Sequence, residues 1–504
     1  MQSRFCPSRN RPKLEILEGR DCPAVTATLA DGVLTVVGDD GPNQVGVVEL
    51  AGGVVKINAD GEQFPLFAGV ESIVIETFGG ADRVEYGPAS TAVVGDIGDR
   101  ILNIDVGAGD DLVIVRDEAP ITRTFTVRNS NTSIDLGTGR DFVRVDISHG
   151  SDVGVAVFSG DGGDDIGVAL GPPAHLKWTP IELKRGVVTM DLGAGDNRVS
   201  VATGNVDDVE VNANTSDRGG PPLSGPGDRF ALTFDNQGAG QPQTLHLAVK
   251  LRGNNRRDVF NRVTIDSRGF TDVSTDIDTG ASNDWVSAKY RLMRPRPFDA
   301  PTHLAFDARL GDGDDVLDAL FGGYVDAALS TDLGAGDDRA GLTVLLRRLA
   351  NPQLPPSDPP TLAFDARLGD GDDVLNAQFA GYTDANLSLD FGAGTDRGGV
   401  ILWVRDVTHD PMVGVDAQLG PGEDTLRLRT HGYDEVRARL DSGPDGDGHD
   451  EVAAAFVRPG LRRNLTTLLS ADLDRFEILG VGYATADVGL QGHECLVFFL
   501  GGQP

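Results

Sequence analysis

Cysteine is scarce, with three in 504 residues, Cys6, Cys22 and Cys495. That is too few for a disulfide framework. At most the two Cys-Pro pairs at Cys6 and Cys22, which flank a basic start, form one bridge. No CxxC or HxxxH pair is present, so a structural zinc site has little support. Aromatics are sparse, with three Trp and six Tyr. No apolar run reaches the roughly eighteen residues of a membrane helix. Leu496–Leu500 (LVFFL) is too short and reads as a terminal strand. Helical periodicity is nearly missing, and Pro180–Lys184 and Arg458–Leu473 are its weak best cases. Positive charge is also short: 44 Lys and Arg face 77 Asp and Glu, for a net charge of −33. Such a balance argues against nucleic acid and anionic membrane as partners and favours a soluble chain that carries counter-ions.

Glycine and aspartate are what the chain has in abundance, and they come in a repeated motif. Leu310–Asp315 (LGDGDD) returns as LGAGDD at Leu333–Asp338, LGDGDD at Leu368–Asp373, FGAGTD at Phe391–Asp396 and LGPGED at Leu419–Asp424. Earlier copies are VGAGDD (Val106–Asp111), LGTGRD (Leu136–Asp141) and LGAGDN (Leu192–Asn197). Looser forms are FGGAD (Phe78–Asp82), DGGDD (Asp161–Asp165), GASND (Gly280–Asp284) and GDGHD (Gly446–Asp450). Two glycines two apart permit positive φ and a sharp turn. The Asp either caps that turn or holds a cation. Apolar residues on both sides match strands entering and leaving a core, so each copy reads as strand, tight acidic turn, strand.

The order along the chain supports five segments. Residues 1–23 are basic and read as a disordered or processed N-terminal sorting segment. Residues 24–205 form a β-repeat region of short period-two runs, such as VLTVVGDDG and VVKINADG, bounded by Gly or Asp-Gly. Residues 206–279 are an irregular β region with a Gly/Pro loop (GGPPLSGPG), where a break or bend is expected. Residues 280–460 are a second repeat region. In it 304–348 recurs at 362–406, a duplication with a shift of 58. Residues 461–504 form a C-terminal cap. First glycines at 280, 311, 334, 369, 392, 420 and 446 are separated by 31, 23, 35, 23, 28 and 26 residues. The short gap is nearly constant, and the longer ones carry Pro-rich insertions (Pro295–Pro301, Pro352–Pro360). A fixed coil with variable loops is what a solenoid tolerates. The fold class expected is therefore all-β, a parallel β-solenoid or β-helix of about 23–35-residue coils. Tandem antiparallel β-sandwich domains, with LGDGDD as a hairpin loop, are the alternative.

Stacked coils would bring Asp315 near Asp338 and Asp373 near Asp396. Acids two residues before the first Gly (Asp105, Asp135, Asp191, Asp278, Asp332 and Asp390) would form a second column. Two unit charges about 5 Å apart repel by about 1 kcal/mol in water and about 3 kcal/mol at an effective dielectric of 20. Summed along a ladder, this rivals a net folding stability of about 5–15 kcal/mol. A divalent cation between turns would reverse the sign, and Ca²⁺, which takes six to eight oxygens, suits carboxylates and free carbonyls best.

These residues carry a resemblance. The pattern GxGxDx(apolar) is similar to the hemolysin-type, or repeats-in-toxin, nonapeptide GGxGxDx(apolar)x, in which the Asp and turn carbonyls bind Ca²⁺ between coils of a β-roll. The matching positions are Asp111, Asp141, Asp315, Asp338, Asp373, Asp396, Asp424 and Asp450. With the flanking Asp105, Asp135, Asp332 and Asp390 they are the candidate metal residues. The departures are that the family's first Gly is here Leu, Val or Phe, and that the copies are isolated rather than tandem. The start, LEILEGRDCPA, resembles the LExLExR…PA segment of large bacterial secreted or surface proteins, which implies an extracellular or cell-surface location.

No catalytic constellation emerges. GAGTDRG (Gly392–Gly398) is flanked by strands and has no helix to receive a pyrophosphate, and no GxSxG elbow exists. His409, His431 and His449 read as loop residues, and Trp178, Trp285 and Trp403 as core or coil-edge packing. The expected function is non-catalytic: a secreted or surface β-repeat protein that binds Ca²⁺ and plays a structural or adhesive role, with cell-surface or matrix polymers as the partner class. The alternative is a β-helix polysaccharide lyase or hydrolase, its groove rimmed by Tyr290–Arg296 and Leu345–Arg348. A scaffold presenting Pro-rich loops is a third reading.

Overall fold

The computed structural model describes residues 25–50, 52–88, 99–117, 129–148, 150–171, 183–215, 227–236, 245–253, 260–292, 302–346, 359–404, 410–441 and 450–457, together with the backbone of the strands 464–469, 475–481, 485–490 and 496–500. The cysteines, Trp178, His409 and His449 lie outside these residues.

The strands follow from alternation. In His303–Arg309 (HLAFDAR), Leu304, Phe306 and Ala308 are buried while His303, Ala305 and Arg309 face out. In Val316–Gly322 (VLDALFG), Leu317, Ala319 and Phe321 point inward. The tight LGDGDD turn between them lays the two strands in different sheets, their apolar faces opposed. Phe306 and Phe321 meet across the core with ring centroids 5.0 Å apart. The duplicated coil repeats this, with Phe364 and Phe379 at 5.1 Å.

Each strand then pairs in parallel with its counterpart one coil away. Phe306 is in register with Leu329, Leu329 with Phe364 and Phe364 with Leu387, so aromatic and aliphatic layers alternate along the core. One sheet contains eighteen strands, and the other runs alongside it as an equally long ladder. Less its one antiparallel cap strand, the first sheet makes seventeen coils. The molecule is thus a parallel β-solenoid; among the described residues antiparallel pairing is confined to the N-terminal end, where Thr26–Ala30 pairs with Val33–Val37 and Gln44–Leu50 with Val54–Ala59. A buried ion pair between Glu49 and Arg100 ties that end to the following coils, and Arg100 also donates to the Val70 carbonyl at 2.6 Å.

Several expectations change. The middle region 206–279 neither interrupts nor leaves the ladder: Val206–Thr215, His246–Arg252 and Asp272–Asp278 pair in succession. The motif blurs there because its turns are replaced, while the alternation that drives pairing persists. Where they are described, both weak helix candidates are strand: Leu183 and Lys184 open the strand Leu183–Leu192, and Asn464–Leu469 lies within the second. Short apolar alternation buries a face that an isolated helical turn could not. Trp285 and Trp403 stand on the outer face of the second sheet, 38% and 40% exposed, and not in the core, because each occupies an outward position of its strand. His431 ends a strand rather than lying in a loop. Leu496–Leu500 is the terminal strand expected.

The corner opposite the Gly-rich turns is held by a column of tyrosines. Tyr382 donates to the Tyr324 carbonyl (2.9 Å) and Tyr433 to the Tyr382 carbonyl (3.0 Å), while Tyr324 donates to the Phe270 carbonyl (3.3 Å). Each hydroxyl therefore pins the backbone of an earlier coil. Tyr382→Phe is expected to cost about 1 kcal/mol in urea unfolding, the net worth of such a bond. An unchanged midpoint would show the column to be packing only.

Candidate metal site in the acidic turns

In each regular turn the residue before the first glycine fills the inside of the bend. Leu310, Leu333, Leu368, Phe391 and Leu419 are all buried. This explains the departure from the nonapeptide: here an apolar plug takes the place of its first glycine. The two glycines have positive φ, as at Gly369 (103°) and Gly371 (142°). Between them Ala335 and Asp370 bridge to the neighbouring coils.

The last Asp of each motif turns inward and forms one continuous row. Asp338 Oδ1 accepts the Asp315 N–H (2.6 Å), Asp373 the Asp338 N–H (2.8 Å), Asp396 the Asp373 N–H (2.8 Å) and Asp424 the Asp396 N–H (2.8 Å). Asp450 accepts from Asp424 at 3.0 Å, and Asp315 accepts from Asp284 at 2.6 Å. A matching row runs through Asp82, Asp111, Asp141 and Asp164. Asp82, Asp164, Asp228 and Asp284 were absent from the candidate set, although FGGAD, DGGDD and GASND signal three of them; the PGD before Arg229 is too short to read alone. The preceding acids form a separate exposed row of opposite sense: Asp314 Oδ1 accepts from Asp337, and Asp337 from Asp372, the following coil in each case.

One oxygen of each buried carboxylate is used, and the other is not. Oδ2 of Asp111, Asp141, Asp315, Asp338, Asp373, Asp396 and Asp424 is enclosed without a hydrogen-bond partner, and so, by geometry, is that of Asp82, Asp164 and Asp284, whose carboxyls have the hydroxyls of Thr77, Ser159 and Thr279 nearby. A buried acceptor left this way is costly. Burial pushes these acids up: Asp373 to about 6, Asp315, Asp338 and Asp424 to about 7, Asp396 to about 8 and Asp284 to about 9. The N–H of a neighbouring coil opposes that rise in all but Asp284, where the Thr279 and Ser282 hydroxyls oppose it, and nearby carboxylates add to it. In the first row Asp111 and Asp164 rise to about 6 and Asp141 to about 7, again through burial first.

Asn197 shows what this position faces. Its Oδ1 takes the Asp164 N–H (3.0 Å), which directs the amide NH₂ inward. There it lies 3.4 Å from the Gly193 carbonyl and 3.5 Å from the Gly195 carbonyl. The second position of the side chain thus looks onto turn carbonyls and suits a donor or a cation better than a bare oxygen. In chelator at neutral pH, Asn197→Asp is expected to lower thermal stability and Asp338→Asn to raise it, each by about 1–3 kcal/mol, the cost of one unsatisfied buried polar group. A loss of stability in Asp338→Asn would mean that the row carries no strain.

The flanking acids lie elsewhere. Asp105, Asp135, Asp332 and Asp390 end strands of the first sheet on its outer face, apart from the buried row. Asp135 and Asp390 accept the N–H of Gly137 (3.2 Å) and Gly392 (3.3 Å), capping their own turns. In the second repeat region the column of like charges does not form. Asp332 stands in register between Arg309 and Arg367, and Arg367 next to Asp390. Among the described residues of this column only Glu76, Asp105 and Asp135 follow one another without a base, and Asp105 is raised by burial and then by the two neighbouring acids. Among the described residues no three His, Cys, Asp or Glu side chains are gathered as a metal cluster; the carboxylates come one per coil. No helix among them is long and apolar enough to cross a membrane.

No family model, no curated protein and no solved structure matches this chain.

Proposed function

We propose that this chain is a non-catalytic, secreted or cell-surface β-solenoid that takes up Ca²⁺ along its buried aspartate row and serves as a structural or adhesive element. The observation that carries the reading is the line of buried, partnerless Oδ2 atoms. Its donors, carboxylate and turn carbonyl oxygens, are the hard ligands that Ca²⁺ prefers. The fit is to the row Asp111, Asp141, Asp315, Asp338, Asp373, Asp396 and Asp424, joined by Asp82, Asp164 and Asp284; Asp450 follows as the acceptor of the Asp424 N–H. The outward Asp105, Asp135, Asp332 and Asp390 belong to turn capping and surface charge. A bound cation would neutralise carboxylates that burial otherwise disfavours. Periodic charge without a unique constellation supports a passive role, and the resemblance of the N-terminal segment supports export. Calorimetric titration of the metal-free chain with Ca²⁺ at pH 7.5 tests the reading. Several bound ions per chain are expected, fewer in Asp338→Asn, and no heat above that of Mg²⁺ removes the metal from it.

A further inference from the structure

The outer face of the second sheet carries a local departure from the overall acidity. Arg198, Arg229 and Arg262 occupy the same outward position on three successive strands and are exposed. Strands repeat about every 4.8 Å, so the guanidinium groups rise from anchor points at that interval. Trp285 continues the row on the next strand, with Arg262 stacked 3.9 Å above its ring. Farther along these strands the charges are mixed: Arg268 pairs with Asp266 at 3.2 Å and lies in register with Asp235, and Lys289 lies in register with Asp266. Beside the arginine row the next residues on these strands are Ser200, Ala231 and Thr264, small and mostly hydroxylated, and the buried Ser287. Asp165 ends the row on the strand before Arg198.

We infer that the arginine row on strands 198–204, 228–235, 260–268 and 285–291 binds an extended carboxylated polysaccharide along the solenoid axis. Guanidinium groups pair with carboxylates in two-pronged fashion. The carboxylates of a polyuronate complement the arginine row, while Ser200 and Thr264 offer hydroxyls to the sugar. Trp285 supplies one apolar ring face at the end of the row. Single-stranded nucleic acid fits less well, since it requires aromatic platforms for successive bases and this face has one. The net charge of −33 does not forbid binding. At physiological salt the screening length is about 8 Å, so the local row governs contact. The inference deepens the adhesive part of the proposed function and is independent of calcium.

The test uses the full chain in EDTA, so that a failure of calcium binding leaves it intact. Polygalacturonate is the probe, followed through tryptophan fluorescence and calorimetry, with neutral dextran and duplex DNA as comparators. Expected is saturable, salt-weakened binding of polygalacturonate. The combined Arg198→Ser, Arg229→Ser and Arg262→Ser variant should weaken it about tenfold or more, the loss typical of several arginine anchors, at unchanged melting temperature. Arg229→Glu alone is the second variant and should weaken it in the same direction. The inference is overturned by no binding, by binding that the arginine variants leave intact, or by equal binding of dextran or DNA. It is also overturned if sedimentation shows that the row instead joins two copies of the chain.

Discussion

Removing divalent cations at pH 7.5 should lower the melting temperature of this chain by many degrees, and lowering the pH in chelator should raise it again. The sign is opposite to ordinary acid denaturation. The row acids have folded pKa values raised from the usual 3.8 to between about 6 and about 9. A raised carboxyl contributes stability that is complete below its unfolded pKa and is lost as pH climbs through its folded value. The metal-free solenoid should therefore be most stable near pH 4 and weaken steadily up to about pH 8, the range over which Asp373, Asp338 and Asp396 ionise. Added Ca²⁺ should act mainly above pH 6, where it replaces the protons, and stabilises by mass action. Melts at pH 4.5, 6 and 7.5, with and without chelator, would decide the matter. A curve that is flat in both pH and calcium would mean that the row is satisfied by means other than proton or metal.

Gly369→Ala should be among the most damaging single substitutions in the chain, costing more than about 4 kcal/mol. A Cβ at Gly369 would sit 1.6 Å from the Gly334 carbonyl oxygen of the neighbouring coil, and at Gly371 1.9 Å from that of Gly336. Both glycines also hold positive φ. The neighbouring atom is backbone and cannot step aside without parting the coils. Because coils in a stacked array touch only their neighbours, the damage should divide the array, and unfolding should become broad or biphasic. Gly341→Ala is the control. It faces solvent from a strand, its nearest neighbour would be the Leu317 carbonyl at 3.8 Å, and a change within about 0.5 kcal/mol is expected. Urea unfolding of the two variants side by side makes the comparison. Equal stability would show that the turns open at little cost.

Much of the architecture is legible from residues alone. Period-two runs such as Leu304, Phe306 and Ala308 specify a strand, and Gly311 and Gly313 specify where it bends. The spacing of 23 between Asp315 and Asp338 is one coil, so their approach is legible in the sequence. What is hidden is everything set by neighbours in other coils. The motif places Asp338 in a turn, but its direction, inward, with one oxygen on a backbone N–H and the other bare, depends on stacking. The flanking acids carry the same sequence signal as the buried ones, yet Asp332 lies outside between two arginines some 23 and 35 residues away. The arginine row is equally silent in one dimension, since Arg198, Arg229 and Arg262 are spread over more than sixty residues with no common motif.

Local chemistry thus decided the strands, the bends and the coil length, because backbone preference and apolar alternation act over a few residues. Which charges share a column, which carboxylates lose their water, and which arginines line up were decided only when the coils stacked. Electrostatic cost and binding geometry depend on distances across the sheet, and parallel registry sets those distances between residues that the chain keeps far apart.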